Sequence, residues 1–187
     1  RRVLFRSLHR CPYGQGDSKL LNYQDSMIID VYHGTLAGAK DLGTSFELPA
    51  DDVKLRGHCA MLGHIHKHQA IGNAVYSSSL VQRSFNEGIR YTADQTIYDY
   101  RDSHGYVLWT VHPEMKSYKF EFVPVFQQTL MVTFVLDRNM TRDILLSKLA
   151  ELSNRNIVLK LVLNNPNPEV LAFLYNYCSN KNITIKK

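Results

Sequence analysis

Between residue 129 and the C terminus the apolar period switches repeatedly between that of a strand and that of a helix, and this alternation restricts the available folds more than any other feature of the chain. "TLMVTFVLD" and "NIVLKLVLNN" are short apolar runs that predict buried strands. Between them, Thr141–Leu152 sets Ile144, Leu145, Leu149 and Leu152 along one helical face. Thr141 stands where a hydroxyl can accept from the free N–H groups of the first turn. "NPEVLAFLYNYCSN" predicts a second helix with Pro168 in its first turn, where the missing N–H is tolerated, and "NITIKK" predicts a last strand. The order β-α-β-α-β calls for a sheet with crossover helices, so residues 126–187 are expected to form a small α/β domain. The composition shift after Pro124 puts its boundary near 124–128.

Upstream the pattern is different. "MIIDVYHG" and "CAMLGHIH" are apolar strands that run into a His-Gly or Gly-His corner. "AIGNAVYSSSLVQ" holds a strand near Ala74–Tyr76, and "GYVLWTVHP" and "SYKFEFVPV" hold two alternating strands. Residues 26–124 are therefore expected to be mostly strands and loops, and the chain as a whole α+β.

The corners gather imidazoles. His33 closes one strand, and His64 and His66 follow the other. Strand ends on one edge of a sheet converge, so these rings can share a cleft, and neutral imidazole ligates zinc, manganese and iron. Gly63 permits close backbone approach at the exit. His68 sits outside the alternation and reads as solvated or substrate-facing. His9, His58, His104 and His112 have no supporting context and read as structural.

Composition narrows the classes. Hydrophobic residues at 44% with eleven Tyr and eight Phe exclude a disordered chain. No run approaches the roughly 18 apolar residues of a membrane helix, and no apolar run long enough for a secretory signal follows Arg1 and Arg2. Cys11, Cys59 and Cys178 are odd in number and widely spaced, which reads as buried or free thiols in a reducing compartment rather than a disulfide framework. A net charge of +5 is compatible with a polyanionic partner. Residues 141–187 hold seven Lys and Arg against three Asp and Glu, with Lys160, Lys181, Lys186 and Lys187 able to meet phosphates or simply to solvate a face.

In order, "YHGTLAGAKD", "LGHIHKHQ", "VYSSSLVQRSFNE" and "HGYVLWTV" resemble the second half of a calcineurin-like metallophosphoesterase, in particular an SbcD-type DNA repair exonuclease, over about Ile28 to Val111. The wording of "GAKD" and "IHKHQ" is similar to versions carried by large DNA viruses and phages. The resemblance implies the C-terminal half of a βα sandwich followed by a capping domain. It implies two Mn2+ ions, or Mg2+ or another divalent metal, with His33 and His64 on one ion and His66 on the other. It also implies that Ser79, Gln82 and Arg83, with His68, lie near DNA; an ordinary polar loop is the equal alternative for the "SLVQR" stretch. Its implied partners are DNA, an SMC-like ATPase subunit of the SbcC type, and a second copy of the full-length protein. The compartment it implies is the cytoplasm, or the cytoplasm or nucleus of a virus-infected host. Asp30 faces away from the His33 corner by strand alternation and is not assigned to the site.

The departures from the family pattern set further expectations. Its earlier Asp-x-His, Gly-Asp and Gly-Asn-His motifs do not occur, and Gly16-Asp17 lacks the flanking strand and helix. "VLFRS" at Val3–Ser7 matches what a sequencing-adapter tail would encode. Residues 1–25 are accordingly expected to be an irregular leader, with the native N terminus and the remaining metal ligands encoded upstream and the chain as given inactive. Ser78 stands where the family carries Gly in a turn, which predicts either mild backbone strain there or a different turn. Two other functions stay open: a phosphatase or cyclic-nucleotide phosphodiesterase on the same scaffold, or a non-catalytic DNA-binding module.

Overall fold

The computed structural model describes residues 3–8, 26–42, 44 and 46–186. Among the described residues the chain is mixed α/β, mostly strands, with two α-helices, and it divides into two compact units. No helix among the described residues is long and apolar enough to cross a membrane.

The first unit takes in residues 1–80 and 105–124. Its sheet contains β1 (Val3–Leu8), β2 (Met27–His33), β3 (Cys59–Gly63), β4 (Gln69–Ile71) and β5 (Ala74–Tyr76), in the order β1-β2-β3-β5-β4. All neighbours run parallel except the β4–β5 hairpin, which turns through Gly72 at φ 60° and Asn73. β1 is a departure from the expected irregular leader. Its backbone pairs with β2 over six residues, from Val3 opposite Met27 to Leu8 opposite Tyr32. Flanking Arg and Pro–Gly residues hide so short a strand from any period-based reading. His9, Cys11 and Gly16-Asp17 lie outside the described residues.

Alternation decides which side of this sheet each residue serves. Met27, Ile29 and Cys59 are buried on one face, beneath Trp109, Val111 and Tyr118 of a two-stranded ribbon, β8 (Gly105–His112) with β9 (Ser117–Pro124). The other face buries Tyr32, Ala60, Leu62, Ala74 and Tyr76 against Leu36 and Ala39, with Leu48, Val53 and Leu55 packed around them. A parallel sheet covered on both faces needs near-continuous apolar strands, which is what "MIIDVY" and "CAML" supply.

The second unit takes in residues 81–104 and 125–187. The expected β-α-β-α-β order is present: β10 (Thr129–Leu136), α1 (Arg142–Ala150), β11 (Asn156–Leu163), α2 (Pro168–Asn180) and β12 (Thr184–Lys186). Thr141 caps α1, accepting from the Ile144 N–H at 3.3 Å, and Asn167 caps α2 ahead of Pro168. Residues 81–104 are a correction to the linear division at 124–128. β6 (Ile89–Tyr91) pairs in parallel with β10, and β7 (Thr96–Asp99) pairs with β6, so the sheet order is β12-β11-β10-β6-β7. Ile89 and Tyr91 enter the same core as Leu130, Val132, Phe134, Leu145, Leu149 and Leu174. A three-residue strand carries too little period to reveal that allegiance in the sequence.

Candidate functional site

The loop after β2 begins at the His33–Gly34 corner, and its shape comes from two tyrosines. Tyr76 is fully buried; its hydroxyl donates to the Gly34 carbonyl at 2.9 Å and accepts from the Leu36 N–H at 2.8 Å. Burial lifts its pKa above the ordinary value, and Asp51 adds to the effect against the Leu36 hydrogen bond, so the hydroxyl keeps the proton it donates. Tyr32 donates to Asp51 Oδ2 at 2.6 Å, and the same oxygen accepts from the Thr35 N–H at 2.8 Å. A Cβ at Gly34 would overlap both the Tyr32 hydroxyl and the Asp51 carboxylate, so a larger residue there would displace their hydrogen bond.

This loop and the end of β3 enclose a cleft of about 480 Å3 lined by His33, Gly34, Thr35, Leu48, Pro49, Asp51 and His64. The two imidazoles meet edge to face, with ring centroids 5.2 Å apart and planes at 72°. Gly63 makes room for this: a Cβ there would come within 2.9 Å of His33 Cδ2. His64 follows with φ 88°, a left-handed conformation that non-glycine residues rarely adopt. Such conformations concentrate at functional sites, held by the surrounding structure.

His66 is placed differently. Its backbone N–H donates to Asp41 Oδ1 at 2.9 Å and its carbonyl accepts from Ser78 Oγ at 2.6 Å, and it is not among the residues that line the cleft. Nearby, the Lys40 N–H donates to Gln69 Oε1 at 3.1 Å, and the Gln69 amide returns a bond to the Lys40 carbonyl. The "GAKD" and "HIHKHQ" stretches are thus stitched together, with side-chain groups of Asp41 and Gln69 holding backbone.

Ser78 has φ 85°, the strain expected of a residue in a glycine's place. Its hydroxyl offsets that cost by holding the His66 carbonyl. Ser78→Ala, which keeps the strain and loses the bond, is expected to lower unfolding free energy by about 1 kcal/mol. Ser78→Gly loses the bond but relieves about 1–2 kcal/mol of backbone strain, so it should stay near wild type. Urea melts of the two variants measure the difference.

The other expected site residues make contacts within their own units. His68 stacks on Phe122 at 4.4 Å and 14°, and its Nδ1 hydrogen-bonds the Tyr76 carbonyl at 2.9 Å. The Ser79 carbonyl accepts from the Gly105 N–H. Gln82 is buried, with its Oε1 accepting from the Met131 N–H at 2.7 Å, so it anchors a loop of the second unit to β10. Arg83 is exposed, and its backbone N–H donates to Glu87 Oε2 at 3.0 Å, while Ser84 donates to Glu87 Oε1 at 3.2 Å. Glu87 thus ties Arg83 and Ser84 to the 3-10 turn Phe85–Glu87 without a capping box, since the Ser84 side chain caps no backbone N–H. Asp30, fully buried, binds the Arg56 and Gly57 N–H groups and does not line the cleft.

The pair His33 and His64 suits a divalent cation. With a metal–nitrogen distance of about 2.1 Å, two imidazole centroids on one roughly tetrahedral ion lie on the order of 5 Å apart. The observed 5.2 Å matches. Among the described residues no three His, Cys, Asp or Glu side chains group as metal ligands, and the geometry brings His33 and His64, the two expected on one ion, together. No family model matches this chain, and no curated protein matches it at a significant level.

Proposed function

We propose that the chain carries part of a metal-dependent phosphodiesterase centre of the calcineurin-like type, acting on DNA as the SbcD-type exonucleases do, with an SMC-like ATPase as partner. The observation that carries the reading is the His33–His64 pair, two strand-end imidazoles edge to face at the mouth of one cleft. His33 and His64 would hold a divalent cation, which when bound neutralises phosphate charge and lowers the pKa of water. The chain's own contribution is positional. Gly63 lets the His33 ring lie against the backbone, the positive φ of His64 turns its ring toward the same cleft, and the two tyrosines fix the loop that forms the opposite wall. Leu48 and Pro49 give that wall an apolar surface that limits water beside a bound phosphodiester.

Isothermal titration of the chain with Mn2+ tests this. Binding that weakens at least tenfold in both His33→Ala and His64→Ala, and less in His66→Ala, is the expected result. Mn2+ uptake indifferent to both substitutions would end the reading. Degradation of linear duplex DNA with Mn2+, assayed in parallel, reports whether the pair alone supports turnover.

A further inference from the structure

In the two-stranded ribbon of the first unit, β8 and β9 pair only with each other, from Gly105 opposite Pro124 to His112 opposite Ser117. Among the described residues no backbone hydrogen bond joins β9 to any strand but β8. Its outer N–H and C=O groups therefore offer a template for a further strand. Exposure marks the same place. Lys119, Phe120 and Glu121 are exposed in succession, whereas a strand covered on one face alternates.

Phe120 alternates onto the face that lays Trp109, Val111 and Tyr118 on Met27, Ile29 and Cys59. It meets the Trp109 ring at 5.6 Å yet stays 40% exposed, so an aromatic surface reaches the open edge. The opposite face carries Lys119 and Glu121, which sit across from Thr110 and Leu108. Neither has an oppositely charged partner among the described residues. A charge on an edge strand ordinarily keeps other strands away. Here the two charges flank Phe120, which makes the strand complementary to itself. Laid antiparallel on a second copy about a two-fold axis through Phe120, each Lys119 faces the Glu121 of the other chain. Tyr118 then faces Phe122, and the two Phe120 rings carry the Trp109 row across the axis. An axis at Lys119 or at Glu121 opposes like charges, and an axis between residues opposes the two faces of the pleat. Only the axis at Phe120 pairs both charges.

We propose that the β9 edge is a docking surface for a second copy of the chain, joining two ribbons into one four-stranded sheet with Phe120 on the axis. Main-chain hydrogen bonds of the added strand supply the attraction, and the side-chain rows supply the register. Because the interface is isologous, each charge pair occurs twice. Association also gives β9 a neighbour on both sides, and a ribbon of only two strands gains from that. The inference concerns the ribbon alone and holds whether or not the cleft binds a metal.

Sedimentation velocity of the full chain over a micromolar concentration series tests this, with three variants beside the wild type. Lys119→Glu and Glu121→Lys each oppose like charges at two positions, and each is expected to raise the dissociation constant at least tenfold. The double variant K119E/E121K opposes unlike charges again and should dimerise as the wild type does. The most specific measurement mixes the two single variants in equal amounts. Chains that stay apart alone should then form a heterodimer, because acid meets base at both positions. Both side chains are exposed, so dilute samples of all three variants should melt at the wild-type temperature. A wild-type chain that stays monomeric throughout the series, which would leave the edge to a foreign strand, overturns the proposal. So does a dimer indifferent to both single substitutions, or a mixture of the single variants that remains monomeric.

Discussion

Gly88→Ala is expected to destabilise the second unit by about 3 kcal/mol or more, at the upper end of what overpacking does. A Cβ at position 88 would fall onto the main-chain carbonyl oxygen of Met131 on β10. Backbone cannot swing aside as a side chain does, so relief requires β6 to part from β10. That parting would undo the pairing of Ile89 with Val132 and of Tyr91 with Phe134, whose rings stack at 5.3 Å. It would also loosen the Tyr100 N–H from the Gly88 carbonyl, 3.1 Å away, and with it the end of β7. Guanidinium melts followed by tyrosine fluorescence measure the loss. A variant as stable as wild type would mean that β6 is not a member of this sheet.

Asp30→Ala is expected to remove about 3 kcal/mol, through hydrogen bonds rather than volume. The Asp30 carboxylate is fully buried, and its Oδ2 accepts from the Arg56 N–H at 2.8 Å and the Gly57 N–H at 2.9 Å. Hydrogen bonds to an ionised group are worth about 1.5–3 kcal/mol each, and the loss leaves two donors unsatisfied. Asp30→Asn keeps an acceptor oxygen and should cost less than half as much. Mn2+ titration separates this effect from the cleft: folded Asp30→Ala should retain the wild-type affinity, since the carboxylate serves the entry to β3 and not the His33–His64 pair.

The parts of the fold that could be read in advance share a local cause. Thr141 and Asn167 cap their helices with neighbours two or three residues away, and Leu145, Leu149 and Leu152 face the core because the helical period puts them there. The strain at Ser78 was likewise visible, as a residue with a Cβ at a glycine's turn position. The site was legible in part. His33 and His64 converge as parallel neighbouring strands require, His33 pairing with Gly63 in register. The contacts that His68 and Gln82 make within the chain were not legible, because polar residues in a loop look alike whether they face solvent or anchor backbone. Only the ring stacked on Phe122 and the amide on Met131 distinguish them.

By itself, the sequence determined the secondary structure of the second unit's α/β part and the two imidazoles that can meet at a cleft, since periodicity, caps and strand ends act over a few residues. Tertiary structure alone decided that residues 81–104 complete the second sheet and that Tyr32, Tyr76 and Asp51 shape the wall facing the histidines. It also decided that Arg90, Lys160 and Lys186, 70 and 26 positions apart in the chain, fall into one row. The physical reason is that strand order and register are set by burial of the whole sheet, a quantity to which no short stretch of residues has access.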